Sequence, residues 1–203
     1  MQTYKQLQQA LNFEQTLPVT PDWSAAADFL FLIKEHCLIN KPQVIVECSS
    51  GLTTITLARC CQINEFGHVY SLENGEKYQI QTQSDLAQFN LQTYADIYHA
   101  PLVTMTVNDI NFDWYQTAAL KGLKIDMLVI DGPPGFIQKY SRLPALPALF
   151  DQLSASACIF LDDAARDDEK EIVAMWLAQY PNTTHEYIET ARGCSVIKLN
   201  KNF

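Results

Sequence analysis

The feature that most limits what this chain can fold into is a recurrence of short, nearly all-apolar runs, each followed by a stretch of helical length. Val44-Ile45-Val46-Glu47-Cys48 is the first: five residues, rich in β-branched side chains, without polar/apolar alternation. Such a run suits a strand covered on both faces, the condition of a parallel sheet with helices above and below it. Ser49-Ser50-Gly51 then turns the chain into a helical stretch over residues 53–61. Residues 67–73 read as a second strand ending in an acid, and 76–89 as a polar helix. Two strands and two helices in so short a span predict right-handed crossover units rather than an antiparallel plan.

The pattern continues. Residues 95–105 hold a third strand, interrupted or ended near Pro101; 114–120 read as a short helix and 125–131 as the fourth strand. A helix entered through Pro144 and Pro147 is expected over 143–153, a fifth strand over 157–161, and an amphipathic helix carrying Ile172, Val173, Trp176 and Leu177 over 167–180. Residues 185–189 and 194–199, joined through Ala191-Arg192-Gly193, have the pattern of an edge hairpin. Ahead of the first strand, Pro21-Asp22-Trp23-Ser24 offers a cap-like start to an Ala-rich helix over 25–39, which Asn40-Lys41-Pro42 stops. The expected fold is α/β: an open, mostly parallel sheet with helices on both faces and a C-terminal antiparallel edge hairpin. Residues 1–42 form a helical segment packed on a main domain of 43–203. With 203 residues, 48% of them hydrophobic, one core is enough.

Charge narrows the partners. Fourteen Lys and Arg stand against 23 Asp and Glu, a formal charge of -9, with no basic block, so most of the surface repels a nucleic-acid backbone. No apolar run reaches the roughly 18 residues of a membrane span, and the N-terminal residues lack the basic flank and apolar centre of a signal peptide; a cytoplasmic protein is expected. Cys37, Cys48, Cys60, Cys61, Cys158 and Cys194 lie mostly in apolar segments and never as CxxC, and read as small buried hydrophobes. The apolar stretch around Phe29 to Leu32 is open to two uses, a homodimer surface or packing on the domain, and the first is slightly favoured.

Polar or acidic residues end five of the predicted strands: Glu47, Glu73, the His99 region, Asp131 and Asp162. Ligands of open α/β sheets bind outside those strand ends, at the switch in strand order. The small-residue turn Ser49-Ser50-Gly51 lets a cofactor approach the backbone, and Glu73 can accept hydrogen bonds from both hydroxyls of a ribose. A phosphate-binding loop fits less well, because there is one glycine and no Gly-Lys-Thr or Gly-Lys-Ser. Glu47 would repel phosphates, whereas it could pair with the ammonium of a methionine moiety or brace the turn. Asp131, Asp162 and Asp163 converge if their strands are neighbours. Either a divalent cation such as Mg²⁺ or compensation by Arg142 and Arg166, with an aspartate capping the following helix, would stabilise them.

Trp23-Ser24, Val46-Glu47-Cys48-Ser49-Ser50-Gly51-Leu52-Thr53-Thr54, Val69-Tyr70-Ser71-Leu72-Glu73, Trp114-Tyr115, Asp126-Met127-Leu128-Val129-Ile130-Asp131-Gly132-Pro133-Pro134-Gly135, Arg142-Leu143-Pro144-Ala145-Leu146 and Leu161-Asp162-Asp163-Ala164-Ala165-Arg166 follow one another along most of the chain. In that order they resemble the class I S-adenosylmethionine-dependent methyltransferases, in a branch of small or small-molecule enzymes. The resemblance implies a Rossmann-like methyltransferase fold and methyl transfer to a small-molecule acceptor, with oxygen the preferred atom. It places Glu47, Ser49, Gly51, Glu73 and Asp131 at the cofactor. Asp131 and His99 are the candidate catalytic groups, Tyr140, Arg142 and Asp163 the acceptor contacts, and Asp131, Asp162 and Asp163 the ligands of an assisting Mg²⁺ or other divalent ion. The family pattern has glycine where this chain has Ser49. A serine fits if its φ stays below zero; a lost glycine also marks sites that have drifted from cofactor binding. The alternatives are a cofactor-binding protein without turnover and a Rossmann-type oxidoreductase.

Overall fold

The structure, a computed structural model, describes residues 2–199. Its centre is a seven-stranded sheet in the order β3-β2-β1-β6-β7-β9-β8. The strands β1 (Val44–Cys48), β2 (His68–Glu73), β3 (Ala95–His99), β6 (Ile125–Ile130) and β7 (Leu153–Leu161) run parallel, while β9 (Cys194–Leu199) is antiparallel to β7 and to β8 (Thr183–Ile188). Strand order reverses between β1 and β6, whose residues Cys48 and Ile130 are in register. The residues that follow them, Ser49 and Asp131, therefore flank one crevice.

The all-apolar strands are buried on both faces, as their composition requires. Ile45, Met127, Val129 and Phe160 pack with α2 (Ala27–Asn40) and α3 (Leu52–Asn64), joined by Leu7 of α1 (Tyr4–Ala10) and Leu86 of α4 (Glu76–Gln88). Val46, Leu128, Ile130 and Leu161 face the other way, toward α5 (Ala145–Leu149) and α6 (Asp167–Gln179) with its Ile172, Val173 and Trp176. All six cysteines are buried and free. Among the described residues, no helix is long and apolar enough to cross a membrane.

Several expectations need correction. The helix predicted over 114–120 is instead the end of a strand: β4 (Leu102–Val107) and β5 (Ile110–Tyr115) form a separate antiparallel ribbon, and only Ala118–Leu120 makes a short 3₁₀ turn. Asn108 and Asp109 have φ of 50° and 64°, the paired positive values of a two-residue hairpin turn. Pro101 ends β3, and the next residues belong to the ribbon. Two prolines hold α5 to five residues, leaving β7 to start at Leu153. Ser24 does not cap α2, whose N-cap is Ala26; its hydroxyl accepts from the Thr20 N–H at 2.9 Å. Within the stretch Phe29 to Leu32, Phe29 and Leu30 are fully buried and Phe31 nearly so, packing on the domain, while Leu32 is half-buried.

Candidate active site

The crevice between β1 and β6 opens into a cavity of about 410 Å³ lined by the 49–51 turn, Glu73, Tyr78, Thr82, Tyr115 and Asp131, among others. Glu73, the last residue of β2, reaches it with its carboxylate: Oε2 accepts from Ser50 Oγ at 2.6 Å and Oε1 from the Gly75 N–H at 2.8 Å. A carboxylate has about four acceptor positions, so each oxygen keeps room for one more donor. Gly51, the N-cap of α3, has φ of 115°, and a Cβ there would meet nothing within 4 Å. The backbone of the turn is thus bare toward the cavity. These features fit an adenosine-containing cofactor, with its ribose at Glu73.

Ser49 has φ of 127°, outside the range where serine is comfortable. The turn therefore keeps the backbone shape that glycine favours and holds a serine in it under strain.

Glu47 lies elsewhere. Strand alternation puts it on the Ile45 face of β1, beneath the first turn of α3, and it is fully buried. Thr53 Oγ1 donates to its Oε1, while Thr54 Oγ1 and Ser71 Oγ each donate to Oε2 at 2.7 Å. Among the described residues no cation pairs with it, and burial pushes its carboxyl up to about 7 against the opposing pull of these hydroxyls. It braces the cofactor turn from below and does not line the cavity.

On the other side of the crevice, Asp131, Asp162 and Asp163 each offer an oxygen within 4.8 Å of the others. That spacing suits a divalent ion, but a guanidinium already sits among them. Arg142 Nη2 donates to Asp163 Oδ2 at 2.8 Å and to the Asp131 carbonyl at 2.7 Å, and stands 3.5 Å from Asp131 Oδ1, while Nη1 donates to the Asp162 carbonyl at 2.8 Å. Arg142 is 2% exposed. Arg166 Nη1 adds a contact to Asp163 Oδ2 at 3.1 Å, and Arg192 Nη1 approaches its Oδ1 at 3.8 Å. A divalent ion does not fit while these arginines hold their places, because it would compete with a fixed positive charge for the same oxygens. Both Asp162 carboxylate oxygens are buried without a hydrogen bond, and burial with the neighbouring Asp163 pushes that carboxyl up to about 6. Burial and Asp162 likewise hold Asp131 well above the usual carboxylate range, against the pull of Arg142.

Other predicted site residues separate. His99 is an exposed residue on β3, the sheet's edge strand, and lines neither this cavity nor the one beside it. Tyr140 lines neither cavity; its hydroxyl donates to Glu171 and its N–H to Asp168. Neither Asp162 nor Asp163 caps α6, whose N-cap is Arg166. Trp23, read from sequence only as part of a helix start and of the family pattern, stands at the mouth with two aromatics not singled out there: Tyr78 is stacked near Trp23 with centroids 6.3 Å apart, and Phe136 meets it edge-on at 6.4 Å. Their signal was their exposure, 53% for Tyr78, 57% for Trp23 and 80% for Phe136, which a linear sequence does not display.

A parallel sheet reversing at β1/β6, an antiparallel C-terminal hairpin and a cavity at the reversal match the Rossmann-like methyltransferase fold. No family model matches the sequence, and no curated protein does. Solved structures do. The chain is similar to the S-adenosylhomocysteine-bound methyltransferase PaMTH1 of Podospora anserina, with a TM-score of 0.69 at 14% identity over 97% of this chain and 87% of that one. It is similar to the O-methyltransferase TomG of Streptomyces achromogenes, involved in tomaymycin synthesis and solved with S-adenosylmethionine, with a TM-score of 0.65 at 12% identity over 96% and 86%. An O-methyltransferase of Bacillus cereus in complex with S-adenosylhomocysteine gives 0.64 at 16% identity over 97% and 90%. At these identities the likeness establishes the fold.

Proposed function

We propose that this chain is an S-adenosylmethionine-dependent methyltransferase acting on an oxygen of a small molecule, with Arg142 in place of a divalent ion. The observation that carries the reading is the Glu73 carboxylate, facing the cavity at the β1/β6 reversal with acceptor capacity to spare on both oxygens. The O-methyltransferases of the same fold support oxygen as the accepting atom.

The cofactor would supply a methyl group on a sulfonium, already activated for displacement. What remains for the protein is positioning and one proton. Glu73, with Ser50 and Gly75 fixing its two oxygens, orients the ribose. Asp131 stands at the inner end of the cavity, and its raised pKa makes it a stronger base than a surface aspartate, suited to take the acceptor's hydroxyl proton. Arg142 holds the Asp131 backbone through the carbonyl and keeps the neighbouring acids from repelling one another. Trp23, Tyr78 and Phe136 shade the mouth from water.

Calorimetric titration with S-adenosylhomocysteine, with and without millimolar Mg²⁺, tests this. The expected result is micromolar binding unchanged by Mg²⁺, weakened by Glu73→Ala about tenfold or more as charge-assisted hydrogen bonds are lost. A folded protein that gives no heat in either condition sinks the reading; binding that needs Mg²⁺ sinks its metal-free part.

A further inference from the structure

Beside the cofactor cavity lies a second, of about 650 Å³, and four residues line both: Trp23, Asp131, Pro134 and Phe136. Its wall carries Asp22, Asp131, Asp163, Asp167, Asp168 and Glu169 against three arginines. One of those, Arg142, is buried and held by the Asp163 carboxylate and the Asp131 and Asp162 carbonyls, its Nε alone left without a hydrogen bond, and Arg166 and Arg192 lean on Asp163. The carboxylates outnumber the cations, and two of them are incompletely satisfied. Glu169 Oε2 and Asp163 Oδ1 have no hydrogen-bond partner, on side chains only 3% exposed that belong to the cavity lining. A buried acceptor without a donor is costly, the more so when charged, so a ligand that brings donors is favoured there. The same cavity opens under Trp23 and Phe136, whose rings present π surface to a cation or to another ring. A chain of charge -9 also draws cations toward it.

We infer that the second cavity binds the methyl acceptor and that the acceptor is a hydroxylated, ring-bearing amine. Its ammonium donates to Glu169 and Asp163, its ring lies against Trp23 and Phe136, and its hydroxyl reaches Asp131, where the two cavities meet. An ammonium satisfies this site better than a carboxylate or phosphate, which would add a seventh negative charge to the wall. The inference rests on the methyltransferase reading for the acceptor role, but the preference for a cation rests on the cavity alone.

The test uses three probes of one shape and different charge: tyramine, para-cresol and para-hydroxyphenylacetate, each titrated at low ionic strength into protein saturated with S-adenosylhomocysteine. Tyramine is expected to bind about tenfold more tightly than para-cresol, and the anion most weakly. Glu169→Gln removes most of that preference. Asp22→Asn, at an exposed position with φ of 66° that asparagine tolerates, trims it about twofold and guards against a Glu169 variant that fails to fold. Neither change alters affinity for S-adenosylhomocysteine. Equal or tighter binding of the neutral or anionic probe, or no binding of tyramine, overturns the inference. If S-adenosylhomocysteine itself does not bind, the methyltransferase reading fails separately, and the same titrations on the free protein still decide the charge preference.

Discussion

The two sides of the crevice bury carboxylates at the tips of adjacent parallel strands and solve the resulting electrostatic problem in opposite ways. At β1, Glu47 is enclosed by three hydroxyls and no cation. At β6 and β7, Asp131, Asp162, Asp163 and Glu169 gather around the buried guanidinium of Arg142. Hydroxyls can serve either protonation state, because each donates or accepts by rotating. A guanidinium serves only the ionised state and keeps its charge at every accessible pH. The first side therefore keeps hydrogen bonds in either state but disfavours the buried charge, and the second holds a fixed field beside the cavity.

Removing the cation should produce the largest effect. Arg142→Met leaves Asp131, Asp163 and Glu169 beside Asp162 without their buried partner, and a loss of about 3–5 kcal/mol in unfolding free energy at pH 8 is expected from denaturant titration. The loss should shrink at pH 5, where Asp162, with its carboxyl near 6, takes up a proton. A pH-independent loss would mean that Arg142 acts by packing alone.

The opposite sign is expected for Glu47→Gln. A carboxyl raised from its ordinary 4.5 to about 7 in the folded state contributes stability that is full below pH 4.5 and lost as pH rises through 7. The wild type should therefore weaken across that interval, by at most about 3 kcal/mol from this residue. The glutamine variant, permanently neutral, should lose that part of the slope and be the more stable protein at pH 8. Equal slopes in the two proteins would break the contrast between the two sides.

Smaller effects sharpen the seam where the sides touch. A Cβ on Gly132 would lie 2.3 Å from Tyr115 Oη and 3.2 Å from Ser49 Cβ, so Gly132→Ala should cost about 2 kcal/mol by overpacking. Adding Tyr115→Phe, which deletes the clashing oxygen, should restore part of it in a double-mutant cycle. Smallest is Ser49→Gly, which relieves a serine held at φ of 127° and should raise the denaturation midpoint by an amount corresponding to about 1 kcal/mol. No change there would show that the strain is absorbed elsewhere.

Much of this was legible in the linear chain. Val44–Cys48, His68–Glu73 and Ile125–Ile130 emerged as strands because a run apolar on both faces has few other stable environments, and Glu73 and Asp131 fell at their ends for the same reason. The β4–β5 ribbon went unread although Asn108-Asp109 is a usable turn signal. Trp114-Tyr115 is apolar enough for either a helix or a strand, and pairing with Leu102 and Val103 decided the matter. For Glu47 two uses were open, an ammonium partner or a brace for the turn, and strand alternation, which turns it toward α3 and its hydroxyls, favours the brace.

The sequence by itself determined the alternation of elements, the parallel sheet and the acids at its strand tips, since these follow from local apolarity and a two-residue side-chain period. Only the tertiary structure decided that Arg142 reaches in among the aspartates, that His99 stands apart, and that Trp23, Tyr78 and Phe136 meet over one opening. Each of those facts is a distance between residues far apart along the chain, fixed by how helices and loops pack on the sheet, and no local pattern encodes it.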